Sequence, residues 1–306
     1  MRLGVIDCGT NTFHLLVIEV DERGGFSRIH KERKYVRIGQ EGVDKIGAAP
    51  FRRGVDCLAY YKKVVFELNV DQLKVFGTEA LRRASNGPEF IDTVEKETGI
   101  RIQLISGEEE ARLIHLGVIQ AVPTIEKKGL IMDIGGGSVE FILASASDVY
   151  WARSFPIGVQ VLFSAFHQQD PLPKRQVGQM ERYFEHSLQP LLDTLKEHET
   201  PLLVGASGSF EVVESLSGVP HTDPLYSIVP TDDFAKIHQQ IINASMVERL
   251  AIGVPKERVE LIVVAFVLIN FIVKNANIKN IVTSAYALKE GILYEMMQEY
   301  KRSGIH

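Results

Sequence analysis

The chain has 306 residues, is 45% hydrophobic and 24% charged, and carries a net charge of −5. Those values point to an ordinary globular protein rather than a disordered, fibrous or membrane one, with enough chain for one large or two medium domains. The acidic balance gives no support to general nucleic-acid binding, so a surface for an anionic ligand must be basic locally, with residues 30–37, Arg52-Arg53 and Arg82-Arg83 as the candidates.

The two cysteines, Cys8 and Cys57, show no metal-type spacing and read as reduced core residues. The longest apolar run, Leu261 to Val273, contains Asn270 and is too short to cross a bilayer, and the N-terminus enters a strand pattern at Leu3 with no signal-peptide layout. A cytoplasmic protein with no membrane partner is expected.

In chain order, the apolar run Leu3 to Asp7 ends in a carboxylate. The turn Cys8-Gly9-Thr10-Asn11-Thr12 then leads into a second apolar run, Phe13 to Val20: strand, tight turn, strand. His14, two places into the second run, is expected to be packed or hydrogen-bonded rather than an acid or base. A helix is predicted over 51–68, a strand over 74–77, and a helix start over 78–84 with Thr78 as N-cap. A helix over 89–98 and a strand over 102–105 follow, and Ser106-Gly107-Glu108-Glu109-Glu110 opens a helix through 120 with its acids at the positive end.

The polar stretch 123–128 is the predicted domain boundary. Beyond it the opening pattern recurs: Gly129 to Asp133 is an apolar strand ending in an acid, Ile134-Gly135-Gly136-Gly137-Ser138 a glycine-rich turn, and Val139 to Leu143 a second strand. The chain thus holds two copies of one hairpin, which a duplicated domain pair with a cleft between the copies would use. A helix over 174–196, a strand over 201–204 and a third small-residue turn, Gly205-Ala206-Ser207-Gly208-Ser209, come next. Helices over 231–250 and 261–273, a strand over 280–282 and a terminal helix from Ser284 to about 301 complete an alternating α/β pattern.

Three successive glycines, Gly135, Gly136 and Gly137, with Ser138, let backbone amides approach an anion without obstruction by Cβ atoms. Asp133 and Glu140 flank that turn and suit a hydrated Mg²⁺ ion, and Asp7 occupies the matching place beside Gly9, Thr10 and Asn11. Neither turn matches the lysine-containing P-loop or a dinucleotide fingerprint. Hydrolysis also needs a base to activate water, for which Glu108, Glu109 and Glu110 are equal candidates by spacing, and Arg82 is placed to bind a phosphate oxygen.

Five ordered segments, IDCGTNTFHLL from Ile6, GTEALRRASN from Gly77, ISGEEEARLIHLGV from Ile105, MDIGGGSVEF from Met132 and GASGSFE from Gly205, resemble the exopolyphosphatase and guanosine pentaphosphate phosphohydrolase (Ppx/GppA) family, within the superfamily of sugar kinases, heat-shock ATPases and actin. The resemblance covers nearly the whole chain. It implies an α/β fold of two ribonuclease H-like, actin-like ATPase domains with an active-site cleft between them. Residues 1–122 would form the first, 123–283 the second, and a helix over about 284–306 would pack back on the first.

By position, the resemblance selects Glu110 as catalytic base, makes Asp7, Asp133 and Glu140 the magnesium-associated acids (Mn²⁺ being possible), and puts Arg82 in the cleft. The phosphate contacts would be Gly9, Thr10, Asn11, Gly135, Gly136, Gly137 and Ser138, with Ser207 and Gly208 of the third turn. The expected activity is hydrolysis of the terminal phosphoanhydride of inorganic polyphosphate. The alternatives are removal of the 5′ γ-phosphate of guanosine pentaphosphate, a stringent-response nucleotide, a kinase of the same superfamily, and a non-catalytic sensor.

Ser209-Phe210 and Ala287-Leu288-Lys289-Glu290-Gly291 depart from the family pattern, so an altered nucleotide or distal-phosphate contact is expected there. The chain ends near 306 without the helical C-terminal domains of long members, which favours short polyphosphate. The resemblance and the apolar segment Leu261 to Val273 also suggest a homodimer.

Overall fold

The computed structural model describes residues 1–21, 25–126 and 128–302. Residue 127 of the expected boundary, and the part of the expected terminal helix beyond 302, lie outside the described residues. The chain forms two compact units, residues 1–117 with 288–306 and residues 118–287.

The first unit is built on strands β1 (Arg2–Cys8), β2 (Phe13–Val20), β3 (Phe26–Lys34), β4 (Gln72–Gly77) and β5 (Gln103–Leu104), ordered β3-β2-β1-β4-β5. β1 and β2 are near-continuous apolar runs because the sheet is covered on both faces at its centre: Leu3, Val5, Ile6, Leu15 and Val17 are fully buried. Helix α1 (Ala48–Glu67) buries Val55, Leu58, Tyr61 and Val65, one stripe at helical spacing, and the Tyr61 hydroxyl donates to the Phe13 carbonyl of β2. Helices α2 (Glu79–Arg83), α3 (Gly87–Thr98) and α4 (Gly107–Ala121) follow. Thr78 stands at the N-cap of α2, but its side chain makes no capping hydrogen bond there.

The second unit repeats the plan. Strands β6 (Gly129–Ile134), β7 (Val139–Ala144), β8 (Val149–Phe155), β9 (Leu202–Ala206), β10 (Tyr226–Pro230) and β11 (Asn280–Ser284) are ordered β10-β11-β9-β6-β7-β8. In both sheets an antiparallel three-strand meander (β1-β2-β3, β6-β7-β8) is extended by parallel strands added beside its first member. The duplicated hairpin is therefore the nucleus of each sheet.

The helix expected over 174–196 is two, α6 (Lys174–Ser187) and α7 (Gln189–Glu197), because Pro190 lacks an N–H and its ring clashes with the preceding turn. The helix expected over 231–250 likewise divides into α9 (Thr231–Asn243) and α10 (Met246–Ile252). Ala244 is extended, and Ser245 with Glu248 forms a reciprocal capping box that restarts the helix. Strands β8 and β10 and helices α5 (Val159–Phe166) and α8 (Gly208–Ser217) were not predicted. Helix α11 (Ile262–Asn275) is buried all round from Ile262 to Ile272. The apolar segment cited for a homodimer is thus the core of the second unit and offers no outward apolar face. Among the described residues no helix is long and apolar enough to cross a membrane.

Helix α12 (Leu288–Arg302) belongs to the first unit. It approaches α4 so closely that a Cβ on Gly291 would stand 1.9 Å from the Leu113 carbonyl oxygen. Gly291→Ala is expected to destabilise by about 2 kcal/mol through overpacking, read as a fall in Tm of several degrees; an unchanged Tm would contradict this packing. In the second unit, burial together with Lys274 pushes the His238 imidazole down to about 4, and its Nε2 has no hydrogen-bond partner. A depressed histidine contributes stability that is present above the unfolded pKa and lost as pH falls through the folded one. His238→Gln should therefore flatten the loss of stability between about pH 6.5 and 4, by up to about 2 kcal/mol once partial exposure is allowed for. Parallel denaturation midpoints for the two proteins across that range would overturn the assignment.

Candidate functional site

The glycine turn of the second unit joins β6 to β7 and is closed by the Gly135 amide donating to the Ser138 carbonyl at 3.0 Å. Its own carbonyls are held from behind by the start of α5: Gly158 donates to Gly137 at 3.1 Å, Val159 to Gly135 at 3.0 Å and Gln160 to Gly136 at 2.9 Å. In a trans peptide the N–H points opposite the C=O of the same plane. Fixing those three carbonyls toward α5 therefore turns the amides of Gly136, Gly137 and Ser138 the other way, as a concave row of donors suited to an anion. The fit is close: a Cβ on Gly158 would lie 2.4 Å from the Gly136 carbonyl group.

The first unit reaches the same result with a different support. The Gly9 amide closes the turn on the Thr12 carbonyl at 3.1 Å. A strap of chain then takes the other carbonyls, Gly39 donating to Thr10 at 3.2 Å and Arg37 to Asn11 at 2.9 Å. The amides of Asn11 and Thr12 are thereby aimed away from the strap. Thr10 is buried, and the Asn11 Oδ1 is buried without a hydrogen-bond partner.

Each turn carries its acid at the end of the preceding strand. Burial pushes the Asp7 carboxyl up to about 6, with Lys289 opposing the shift and Glu290 adding to it, and Asp7 Oδ1 has no hydrogen-bond partner. Asp133 stands directly opposite Glu140 in the β6–β7 register, and Glu140, only 2% exposed, accepts a 2.7 Å hydrogen bond from Ser154 of β8. Within the second unit, Asp133 and Glu140 are two carboxylates on one sheet face, a pair whose chemistry suits a hydrated divalent cation. Among the described residues no three or more histidine, cysteine or carboxylate groups are gathered so as to hold a metal ion between them.

The acidic run at the start of α4 is sorted by its neighbours. Glu108 is exposed, Glu109 makes a bidentate pair with Arg112 at 2.7 and 2.8 Å, and Glu110 is 7% exposed with Oε2 3.1 Å from Arg82 Nη1. Arg82 also donates to Glu79 at 2.9 Å and to the Ile105 carbonyl. Burial lowers its pKa, but Glu110 and Glu79 more than offset this and hold it above the ordinary arginine value. Arg82 thus positions Glu110 in this structure.

In the third turn Ser207 has φ +105°, a strained value for a side-chain-bearing residue, and its Oγ accepts from the Ile134 amide at 3.3 Å, tying this turn to the glycine turn. Arg258 lies over Gly208, where a Cβ would meet its guanidinium carbon at 2.5 Å, and donates to Glu211 at 2.7 Å. Phe210 is 1% exposed and packs on Gly205, so the phenylalanine of that departure from the family pattern fills the core. Sequence reasoning missed Gly158, the strap over Arg37 to Gly39, Ser154 and Arg258, because each acts through a long-range backbone or register contact.

The description of the Ppx/GppA phosphatase family matches residues 16–300. The exopolyphosphatase from Cytophaga hutchinsonii is 34% identical over 98% of both chains, with a TM-score of 0.93. The Aquifex aeolicus member of the Ppx/GppA family is 24% identical over 100% of this chain and 99% of its own, with a TM-score of 0.80, a likeness of fold. An exopolyphosphatase-like protein at 23% identity and a TM-score of 0.88 over 98% of both chains shares that fold as well. With its paired turns, its acids at the ends of β1 and β6, and a family match along nearly its whole length, this chain belongs to the Ppx/GppA phosphatase family.

Proposed function

We propose that this protein is an exopolyphosphatase that removes orthophosphate from the end of inorganic polyphosphate. The observation that carries the reading is the glycine turn 135–138, with its carbonyls held on α5, its amides turned outward, and Asp133 and Glu140 at its two ends. The 34% identity to the Cytophaga exopolyphosphatase over 98% of both chains supports a phosphoanhydride hydrolase of this family.

In this reading the amides of residues 136–138, and those of Asn11 and Thr12 in the first unit, bind phosphoryl oxygens, with Ser207 and Gly208 adding a contact at the third turn. These groups are already oriented when substrate arrives, so little reorganisation is needed as charge develops. Glu110 accepts a proton from water as the water oxygen bonds to the terminal phosphorus. The bridging P–O bond breaks, its electron pair leaves on the shortened chain, and orthophosphate is released. Arg82 holds the Glu110 carboxylate at 3.1 Å and fixes its direction. Asp7, Asp133 and Glu140 are the acids that would hold Mg²⁺ or Mn²⁺, which when bound neutralises phosphoryl oxygens.

Glu110→Gln is expected to lower turnover of polyphosphate by about 10³-fold while leaving its affinity within about threefold, since the change removes a base and keeps the shape. The assay is phosphate release in Mg²⁺ from tripolyphosphate, long polyphosphate and guanosine pentaphosphate side by side. Wild-type turnover in the variant would sink Glu110 as the base, and release from the guanosine substrate alone would move the assignment to that nucleotide.

A further inference from the structure

Of the basic clusters in the sequence, the one over residues 30–37 overlaps β3, the edge strand of the first sheet. In nine residues β3 carries Arg28, Lys31, Arg33 and Lys34 against the single acid Glu32, on a chain whose net charge is −5.

Register decides which of these cations share a face with the first phosphate turn. Arg33 is paired with His14 of β2, and His14 with Asp7 of β1, so Arg33, His14 and Asp7 form one cross-strand row on one face of the sheet. Lys31 sits two residues before Arg33 on that same face, and its Nζ reaches Glu290 of α12 at 3.9 Å. Lys34 falls on the opposite face, its ammonium 3.1 Å above the Tyr60 ring. Lys31 and Arg33 are both exposed. Adjacent strands are about 4.8 Å apart, so Arg33 stands about 10 Å from Asp7 across the sheet, a span of a few phosphoryl units.

The second unit supplies an internal comparison. Its equivalent row is Asp133, Glu140 and Ser154, in which the edge position is a serine donating to Glu140. Charged edge strands commonly serve to block edge-to-edge pairing, a purpose that either sign of charge meets. That purpose explains neither the excess of cations on β3 nor the alignment of Arg33 with the phosphate-turn acid.

We propose that Lys31 and Arg33 of β3 form a subsite for the distal phosphates of a linear polyphosphate whose reacting end lies at the Asp7 turn. The proposal rests on the polyphosphate reading above and extends it: the cleaved phosphate is held by the turn amides, and the trailing anionic chain runs along the basic edge of the first sheet. Affinity then grows with chain length until the β3 cations are reached.

The test is calorimetric binding of tripolyphosphate and of a chain of several tens of phosphates, with Mg²⁺, to the Glu110→Gln protein, so that binding is read apart from turnover. The parent is expected to bind the longer chain more tightly. Adding Lys31→Gln with Arg33→Gln should weaken the long chain about tenfold and tripolyphosphate less than threefold. Lys62→Gln with Lys63→Gln, which removes the same charge from exposed positions of α1, serves as the control and should change neither affinity by more than about twofold. Equal loss for both chains, equal loss in the control, or a parent without length preference would each overturn the proposal. Failure of the polyphosphate reading itself would show separately, as wild-type protein that releases no phosphate from either chain.

Discussion

Everything at the candidate site depends on backbone carbonyls being taken from behind. A tight turn exposes its N–H groups to a ligand only if the C=O groups of the same peptide planes are bound on the other side, since an unpaired buried carbonyl is costly. In the second unit the first amides of α5 meet that need for Gly135, Gly136 and Gly137; in the first, the amides of Arg37 and Gly39 do so for Asn11 and Thr10. The glycines are needed for close approach on both sides of the turn, which is why Gly158 packs on the Gly136 carbonyl with no room for a side chain. The result is a donor array oriented by the fold, the arrangement from which electrostatic stabilisation of a phosphoryl group is largest.

The duplication shows how one frame serves different tasks. Asp7 and Asp133 hold equivalent places at the ends of β1 and β6, each facing a residue of the next strand in register: His14 in the first unit, Glu140 in the second. The second unit has thereby gained a second carboxylate, kept buried by a serine donor, whereas the first has a histidine and, one strand further, an arginine. Acid pairing suits a cation, and the basic row suits an anion. Glu110, the base in the proposed reaction, belongs to neither hairpin. It comes from the start of α4, where Arg82 fixes it while its neighbours Glu108 and Glu109 face solvent or Arg112.

Much of this was legible in the sequence because it is local. The hairpins announced themselves as apolar runs ending in acids before small-residue turns, and the resemblance singled out Glu110 from three acids that spacing left equal. What was not legible depends on contacts distant in sequence. The supports of the turns come from Gly158 and from the strap at 37–39, the strain at Ser207 is set by its place between β9 and α8, and the partners of Arg82 are fixed by how α2 and α4 pack. The helix breaks at Leu188 and Ala244 were missed because apolar periodicity continues across them; a proline in one case and a capping box in the other decide the local geometry. The core packing of Phe210 against Gly205 was not legible either, since it leaves no trace in the motif.

The most direct test of the account is amide NMR of the Glu110→Gln protein titrated with tripolyphosphate in Mg²⁺. The backbone amides of Asn11, Thr12, Gly136, Gly137 and Ser138 are expected to shift and to exchange more slowly with solvent, while those of Gly158, Val159 and Gln160, already bonded to the turn carbonyls, keep their protection. Saturable binding that leaves the five turn amides unmoved would contradict the claim that the backed turns are what grips the phosphate.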